Sequence, residues 1–282
     1  MQRFAPSRRA GYAASIGGAV APSTPAFTNT YSLDFDGTND HLVVANHDDF
    51  SFGDSTTDTP FSISAWVKAD NLSGVRFVTK NEWDVGTDYR EWIFSGHTGK
   101  LLFGVVDADG SSGAYNNYRY RQESTARITT GIWYHVVGTY DGSGGTNAHT
   151  GIKLYVNASV ASSYVDTTAG TYVAMHNNTG SNGDIAIGAW RNTSFTDGKI
   201  DEVAIWDVEL DAEAVTAIYN EVDGVGVPFD LASDNGNYDN SGSLVGYWRM
   251  EENTGTTVAD SSTNSHTAPL TNGPTFSTDV PS

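Results

Sequence analysis

The segment Gly198-Lys-Ile-Asp-Glu-Val-Ala-Ile-Trp-Asp-Val-Glu-Leu-Asp-Ala-Glu-Ala-Val215 constrains the fold more than any other stretch. Ile200, Val203 and Ile205 supply the apolar side of a strand that runs directly into a short helix. Asp211 is placed to accept from the free N–H groups of the first helical turn, and Glu213 favours its positive end. Val215, Ile218 and Tyr219 recur at helical spacing, so a helix over 211–221 should dock on a sheet. No other segment reads convincingly as a helix. Candidate strands are Tyr31–Phe35, His41–Val44, Phe61–Lys68, Val75–Lys80, Glu91–Phe94, Lys100–Val106, Asn117–Gln122, Trp133–Tyr140, Ile152–Val156, Tyr172–Ala174, Asp184–Gly188 and Lys199–Trp206. In one of them Phe61, Ile63, Ala65 and Val67 face one way and Ser62, Ser64, Trp66 and Lys68 the other, with Trp66 expected under a loop.

A chain of 282 residues can bury a large core as one β domain. It has no cysteine, so disulfides, thiolate metal sites and a cysteine nucleophile are excluded. Residues 1–30 carry Arg3, Arg8 and Arg9 and no acidic residue, so +3 of the net −19 lies there and −22 in the remainder. So acidic a body argues against nucleic acid or an anionic membrane as partner. Solubility explains that charge most simply. No window approaches 18 consecutive apolar residues, the span a membrane helix needs. Ser7-Arg8-Arg9 followed by an Ala/Gly-rich run faintly resembles a twin-arginine export signal, although the run is short and rich in glycine.

Tyr31-Ser-Leu-Asp-Phe-Asp-Gly-Thr-Asn-Asp-His-Leu-Val-Val44, Phe61-Ser-Ile-Ser-Ala-Trp-Val-Lys68 and the Gly198–Val215 segment together resemble the laminin-G-like domain of the concanavalin A-like family, which includes pentraxins. The resemblance covers Tyr31 to Val222 and implies an all-β jelly-roll sandwich with one short helix. Trp133 and His135 match the family's Trp-x-His strand, which makes His135 a packed strand residue rather than a ligand or base. On this reading the chain divides into a basic, extended arm (1–30), the jelly roll (31–222), a linker or long loop (223–243) and a C-terminal segment (244–282). Leu244-Val-Gly-Tyr-Trp-Arg-Met-Glu-Glu ordinarily opens such a domain. Here it comes last, so it either folds back as the missing strand or pairs with a neighbouring copy.

Asp36-Gly-Thr-Asn-Asp40 gathers two carboxylates, an amide and exposed carbonyls in one turn, the oxygen set that calcium takes. The same residues also suit a tight turn with no ion. The resemblance adds Asp201 as a further ligand, giving Asp36, Asn39, Asp40 and Asp201 as the expected calcium site. Pentraxin-type calcium ligands are not expected, because Trp190 and Arg191 stand where most of them would be. Trp83, Tyr89, Trp92, Tyr118, Arg119, Trp190 and Arg191 are candidate contacts for a glycan, since aromatic faces stack on sugar rings and Arg bonds hydroxyls. Core or interface packing accounts for aromatics equally well. The Glu-x-Asp-x-Glu pattern of glucanases on this fold is absent, and adjacent Asp201 and Glu202 should face opposite sides of a strand.

These features lead to a non-enzymatic protein of a virion surface, a decoration or fibre-type structural protein of a bacteriophage. Its lectin-like domain would serve assembly and host-glycan adhesion. The arm residues Arg3, Phe4, Arg8, Arg9 and Tyr12 would anchor it to neighbouring copies or other virion proteins. The alternatives are a sugar-binding module of an exported bacterial adhesin and a glycan hydrolase.

Overall fold

Antiparallel pairing sorts the strands into two sheets packed face to face. The computed structural model describes residues 27–80, 83–84, 87–108, 117–178, 183–190, 193–220 and 229–282. Arg3, Phe4, Arg8, Arg9, Tyr12, Arg191 and the Trp83 side chain lie outside the described residues. The principal strands are β1 (Ser32–Asp36), β2 (His41–Val44), β3 (Phe61–Ala69), β4 (Val75–Lys80), β5 (Trp92–His97), β6 (Lys100–Val106), β7 (Tyr118–Glu123) and β8 (Tyr134–Tyr140). They continue with β9 (Ile152–Val156), β10 (Tyr164–Ala169), β11 (Ile185–Ile187), β12 (Asp197–Trp206), β13 (Leu244–Trp248), β14 (Ala268–Thr271) and β15 (Thr275–Ser277). The first sheet has 8 strands, in the order Ser159–Val160, β9, β8, β3, β12, β1, β15, with β13 also beside β12. The second has 9, in the order β10, β7, β6, β5, β4, β11, β2, β14, Thr257–Val258.

Alternation explains the main core. Phe61, Ile63, Ala65 and Val67 of β3 point between the sheets with Ile200, Val203 and Ile205 of β12, and all are buried. The other face of the first sheet is buried too. Helix α1 (Ala212–Asn220) lays Ala214, Val215 and Ile218 against it beside Trp206, forming a second core. Each Val or Ile buried there contributes roughly 1.5–3 kcal/mol. Asp211 Oδ1 accepts the Ala214 N–H at 2.7 Å and so caps the helix. Trp66 lies under this helix rather than under a loop, its ring 5.9 Å from that of Tyr219. His135 packs 5.1 Å from Trp66, and complete burial depresses its pKa to about 3.

The C-terminal segment supplies strands to both sheets of its own chain. β13 pairs with β12 through Val203↔Trp248 and Ala204↔Tyr247, β14 pairs with β2, and β15 with β1. Within the region read as a linker, residues 229–243 are packed: Phe229, Leu231 and Tyr238 enter the second core, and Trp206 Nε1 donates to Tyr238 Oη at 3.0 Å. Strand β10 escapes the alternation test because Tyr-Val-Asp-Thr-Thr-Ala lies at a sheet edge with most of its side chains exposed. Tyr172–Ala174 is not a strand. Its tyrosine turns inward instead, and the Tyr172 and Tyr140 hydroxyls donate to buried Asp58 at 2.6 and 2.7 Å.

Candidate functional site

The outer face of the second sheet carries a half-exposed aromatic pair at its β7 side, while Thr79, Ile93 and Ser95 of the same face are buried. Val43, Ala186, Thr79, Ile93, Gly104, Tyr120 and Thr167 run in register across it. Tyr118 and Tyr120, two residues apart on β7, share this face and stack with ring centroids 4.4 Å apart at 22°. Gly104 makes room for them: a Cβ there would lie 2.0 Å from the Tyr120 ring. Both tyrosines are half-exposed. Farther along the face, the Arg76 guanidinium sits 4.8 Å from the Trp190 ring centroid. Its buried Nε has no partner among the described residues. Three strand spacings, about 14 Å, separate Arg76 on β4 from Tyr120 on β7.

Two of the expected glycan contacts are structural instead. Trp92 pairs with Val105 on the inward face, is fully buried, and donates Nε1–H to the Phe50 carbonyl at 2.9 Å. Arg119 also turns inward, and its guanidinium donates to the carbonyls of Thr146, Tyr118, Ala169 and Gly170. Strand parity sets the difference: odd positions of β7 face the other sheet, so Tyr118 and Tyr120 stay out while Arg119 goes in. Tyr89 is half-buried just before β5, and its carbonyl accepts from Asn178 Nδ2 at 3.3 Å. Tyr120, two positions from Tyr118 on the same strand, joins the candidate contacts.

The turn Asp36–Asp40 crosses from the first sheet to the second at the rim. Asp36 Oδ1 accepts the N–H groups of Thr38 and Asn39 at 2.8 and 3.4 Å, which lowers its pKa. Asp40 Oδ2 accepts the Asp36 N–H at 3.2 Å, and burial raises its pKa. Gly37 adopts φ +72°, and a Cβ there would stand 2.8 Å from Cβ of Asp197. Asp201 does not join this group. Asp36 pairs with Asp197, and Asp201 lies four positions farther along β12, about 13 Å away. The acidic neighbour of the turn is therefore Asp197, whose pKa is raised by burial and then by Asp70, Asp34 and Asp36. Asp36 and Asp197 line one side of the rim together, whereas Asp36, Asp40 and Asp197 do not gather as one three-carboxylate ligand set among the described residues, and Asp201 is not part of it.

Asp201 belongs to a different cluster. Glu202 is an extra residue in a β-bulge with φ +48°, between the pairs Asp201↔Trp66 and Ala204↔Ser64. The bulge cancels the alternation expected of neighbours, so both carboxylates turn toward the helix-covered face. Glu202 meets the Tyr247 hydroxyl and Arg249 Nε, and Asp201 Oδ2 accepts from Asn29 Nδ2 at 2.9 Å. Burial raises the Glu202 pKa to about 8 against the pull of Arg249, while burial and then the Glu202 charge raise Asp201. The space beside Glu202, lined in part by Trp66 and His135, amounts to about 10 Å³. That is the lower limit for one water, so no sugar ring fits against this pair.

The same cluster grips the start of the described chain. Arg249 lies 4.1 Å from the Phe27 ring centroid and donates to the Thr28 carbonyl at 2.8 Å. Glu251 Oε1 accepts the N–H groups of Thr30 and Tyr31 at 2.7 and 3.0 Å. Residues 27–30, read from sequence as part of a free arm, are thus bound to the sandwich.

A family model, Laminin_G_3, described as the concanavalin A-like lectin/glucanases superfamily, matches residues 36–216. The chain belongs to this family. A solved structure agrees on the fold. A Bacteroides ovatus protein described as a candidate carbohydrate binder is 19% identical with a TM-score of 0.54, and the match covers 90% of this chain and 62% of that one. The heptameric pentraxin of Limulus polyphemus is 16% identical (TM-score 0.41, 67% of this chain, 82% of that one). The ligand-binding domain of botulinum neurotoxin serotype D, solved with N-acetylneuraminic acid, is 15% identical (TM-score 0.44, 70% and 43%). No curated protein matches the chain. Laminin_G_3 membership makes the fold lectin-like and leaves its ligand to be argued from the site.

Proposed function

We propose that the protein is a non-catalytic glycan-binding module whose ligand lies on the outer face of the second sheet. The observation that carries this reading is the Tyr118–Tyr120 stack over Gly104, a half-exposed aromatic platform on an otherwise small-residue face. Sugar rings stack on such faces, and the Arg76 guanidinium over the Trp190 ring adds a cationic, aromatic feature on the same face. The carboxylate pair at Asp201 and Glu202 lacks room for substrate, which favours binding over hydrolysis. Calcium beside Asp36 and Asp197 would place a counter-charge where burial, and then Asp70, Asp34 and Asp36, raise Asp197, and would stiffen the rim.

The wider setting we propose is a bacteriophage virion surface, with residues preceding Phe27 as the anchor to neighbouring copies. The +3 arm on a −22 body supports that arrangement electrostatically. Mass spectrometry of purified particles separates this setting from an exported adhesin. Binding itself is tested on a glycan array followed by calorimetry. The wild type should bind a saturable ligand, and Tyr118→Ala or Tyr120→Ala should weaken it about tenfold, the scale of one lost stacking contact. Equal affinity in both variants, or release of reducing ends from any ligand bound, defeats the proposal.

A further inference from the structure

His47, Asp49 and His266 bring one ligand atom each within 4.8 Å of one another at the surface. Asp49 Oδ2 is the centre of the group. It lies 3.2 Å from His47 Nδ1 and 2.8 Å from His266 Nε2. Zinc bonds of 2.0–2.1 Å in tetrahedral geometry place neighbouring ligand atoms about 3.3 Å apart, so the two short edges of the triangle already have the right size. The donor set is equally telling. Two imidazoles and one carboxylate suit a borderline transition metal, whereas calcium and magnesium take oxygen.

The three residues are held in place before any ion arrives. Asp49 sits in the short 3₁₀ turn Asp48–Phe50, anchored by fully buried Phe50. His266 is fixed at both backbone ends: its N–H donates to Asp260 Oδ2 at 2.8 Å, and its carbonyl accepts from Trp248 Nε1 at 2.7 Å. Its ring lies 4.8 Å from that of Phe50 and 4.6 Å from that of His47. His47 Nδ1 accepts the Asp49 N–H at 3.2 Å as the cap of this turn, a contact it would exchange for the ion. The other contacts fix ring orientation, as outer partners do in established metal sites. The side chain of His47 remains 53% exposed, leaving the fourth coordination position open to water.

We infer that His47, Asp49 and His266 form a surface site for a divalent transition metal of the zinc type, which ties the turn after β2 to the C-terminal segment. Residues 49 and 266 lie 217 positions apart, so the ion would close a long loop, nested inside those that β1–β15 and β2–β14 already close. Binding would displace the proton between His266 Nε2 and Asp49 and leave three protein ligands with a bound water.

The test is calorimetric titration of the full chain with Zn²⁺, alongside thermal melting. The wild type should take up one equivalent saturably and melt at a higher temperature with zinc present. His47→Ala and His266→Ala should each weaken uptake at least about tenfold and lose the thermal shift. Half-exposed His47 makes its variant the safer one for folding, checked by circular dichroism. His97→Ala, at an exposed histidine elsewhere, should bind zinc like the wild type. Co²⁺ in place of zinc should give the intense visible bands of a four-coordinate ion in the wild type and not in His47→Ala. No saturable uptake, or uptake retained by His47→Ala, overturns the inference. None of these outcomes depends on glycan binding.

Discussion

Glu202 is where one backbone angle has the largest chemical effect. Its φ of +48° lets a second carboxylate join Asp201 under the helix. The raised pKa means that the folded state holds a proton which the unfolded chain releases near its ordinary value of 4.5. Stability from this group is therefore fully present below pH 4.5 and is lost as pH rises through about 8. While one extra proton is held, the slope reaches about 1.4 kcal/mol per pH unit. Glu202→Gln keeps the shape and an acceptor for the Tyr247 hydroxyl but has no proton to lose. Melting followed from pH 5 to 9 should fall more steeply for the wild type than for the variant, and parallel curves would place the pH dependence in other groups. Little of this was legible beforehand. Asp-Glu in a strand reads as two opposite faces, and no local residue announces the bulge. His135 was legible through the resemblance, because Trp133 and His135 match the family's Trp-x-His strand.

Among the elements, the rim turn and helix α1 differ in how far sequence reaches. The helix could be read nearly whole, since its cap and apolar spacing are local signals and Asp211 does cap it. The turn could be read as a turn, but its acidic neighbour depends on the pairing of β1 with β12, fixed by residues more than 150 positions apart. Register, not residue type, replaced Asp201 with Asp197. If a cation binds beside Asp36 and Asp197, chelator should lower the melting temperature by a few degrees, and calcium should restore it. Asp197→Asn should abolish that response, whereas Asp201→Asn should leave it intact. Identical melting with and without chelator removes calcium from the turn. The aromatic candidates divided in the same way: composition suggested a platform, and strand parity then kept Tyr118 while removing Trp92 and Arg119.

For the whole molecule, three distant motifs sufficed to read the sandwich, because Phe-Asp-Gly, Ala-Trp-Val and Ile-Asp-Glu-Val each specify a strand of one sheet. Where the arm begins was not legible, since Phe27–Tyr31 has no apolar period and is held by side chains near residue 250. Two truncations separate arm from domain. Removing residues 1–26 should leave the melting temperature unchanged, although the proposed anchor to neighbours is lost. Removing residues 1–31 also strips Asn29 from buried Asp201 and should cost about 1–3 kcal/mol in denaturant unfolding. Equal stability of the two would show that the ties at 27–31 contribute nothing. The pairing of β13 with β12 also has a consequence for synthesis. Half of one edge of β12 waits for its partner until roughly 40 more residues have been made, a delay of a few seconds at cellular rates. During that interval the nascent chain presents an open, apolar strand edge, so the ribosome-bound stage is when this protein most needs shielding from its own copies.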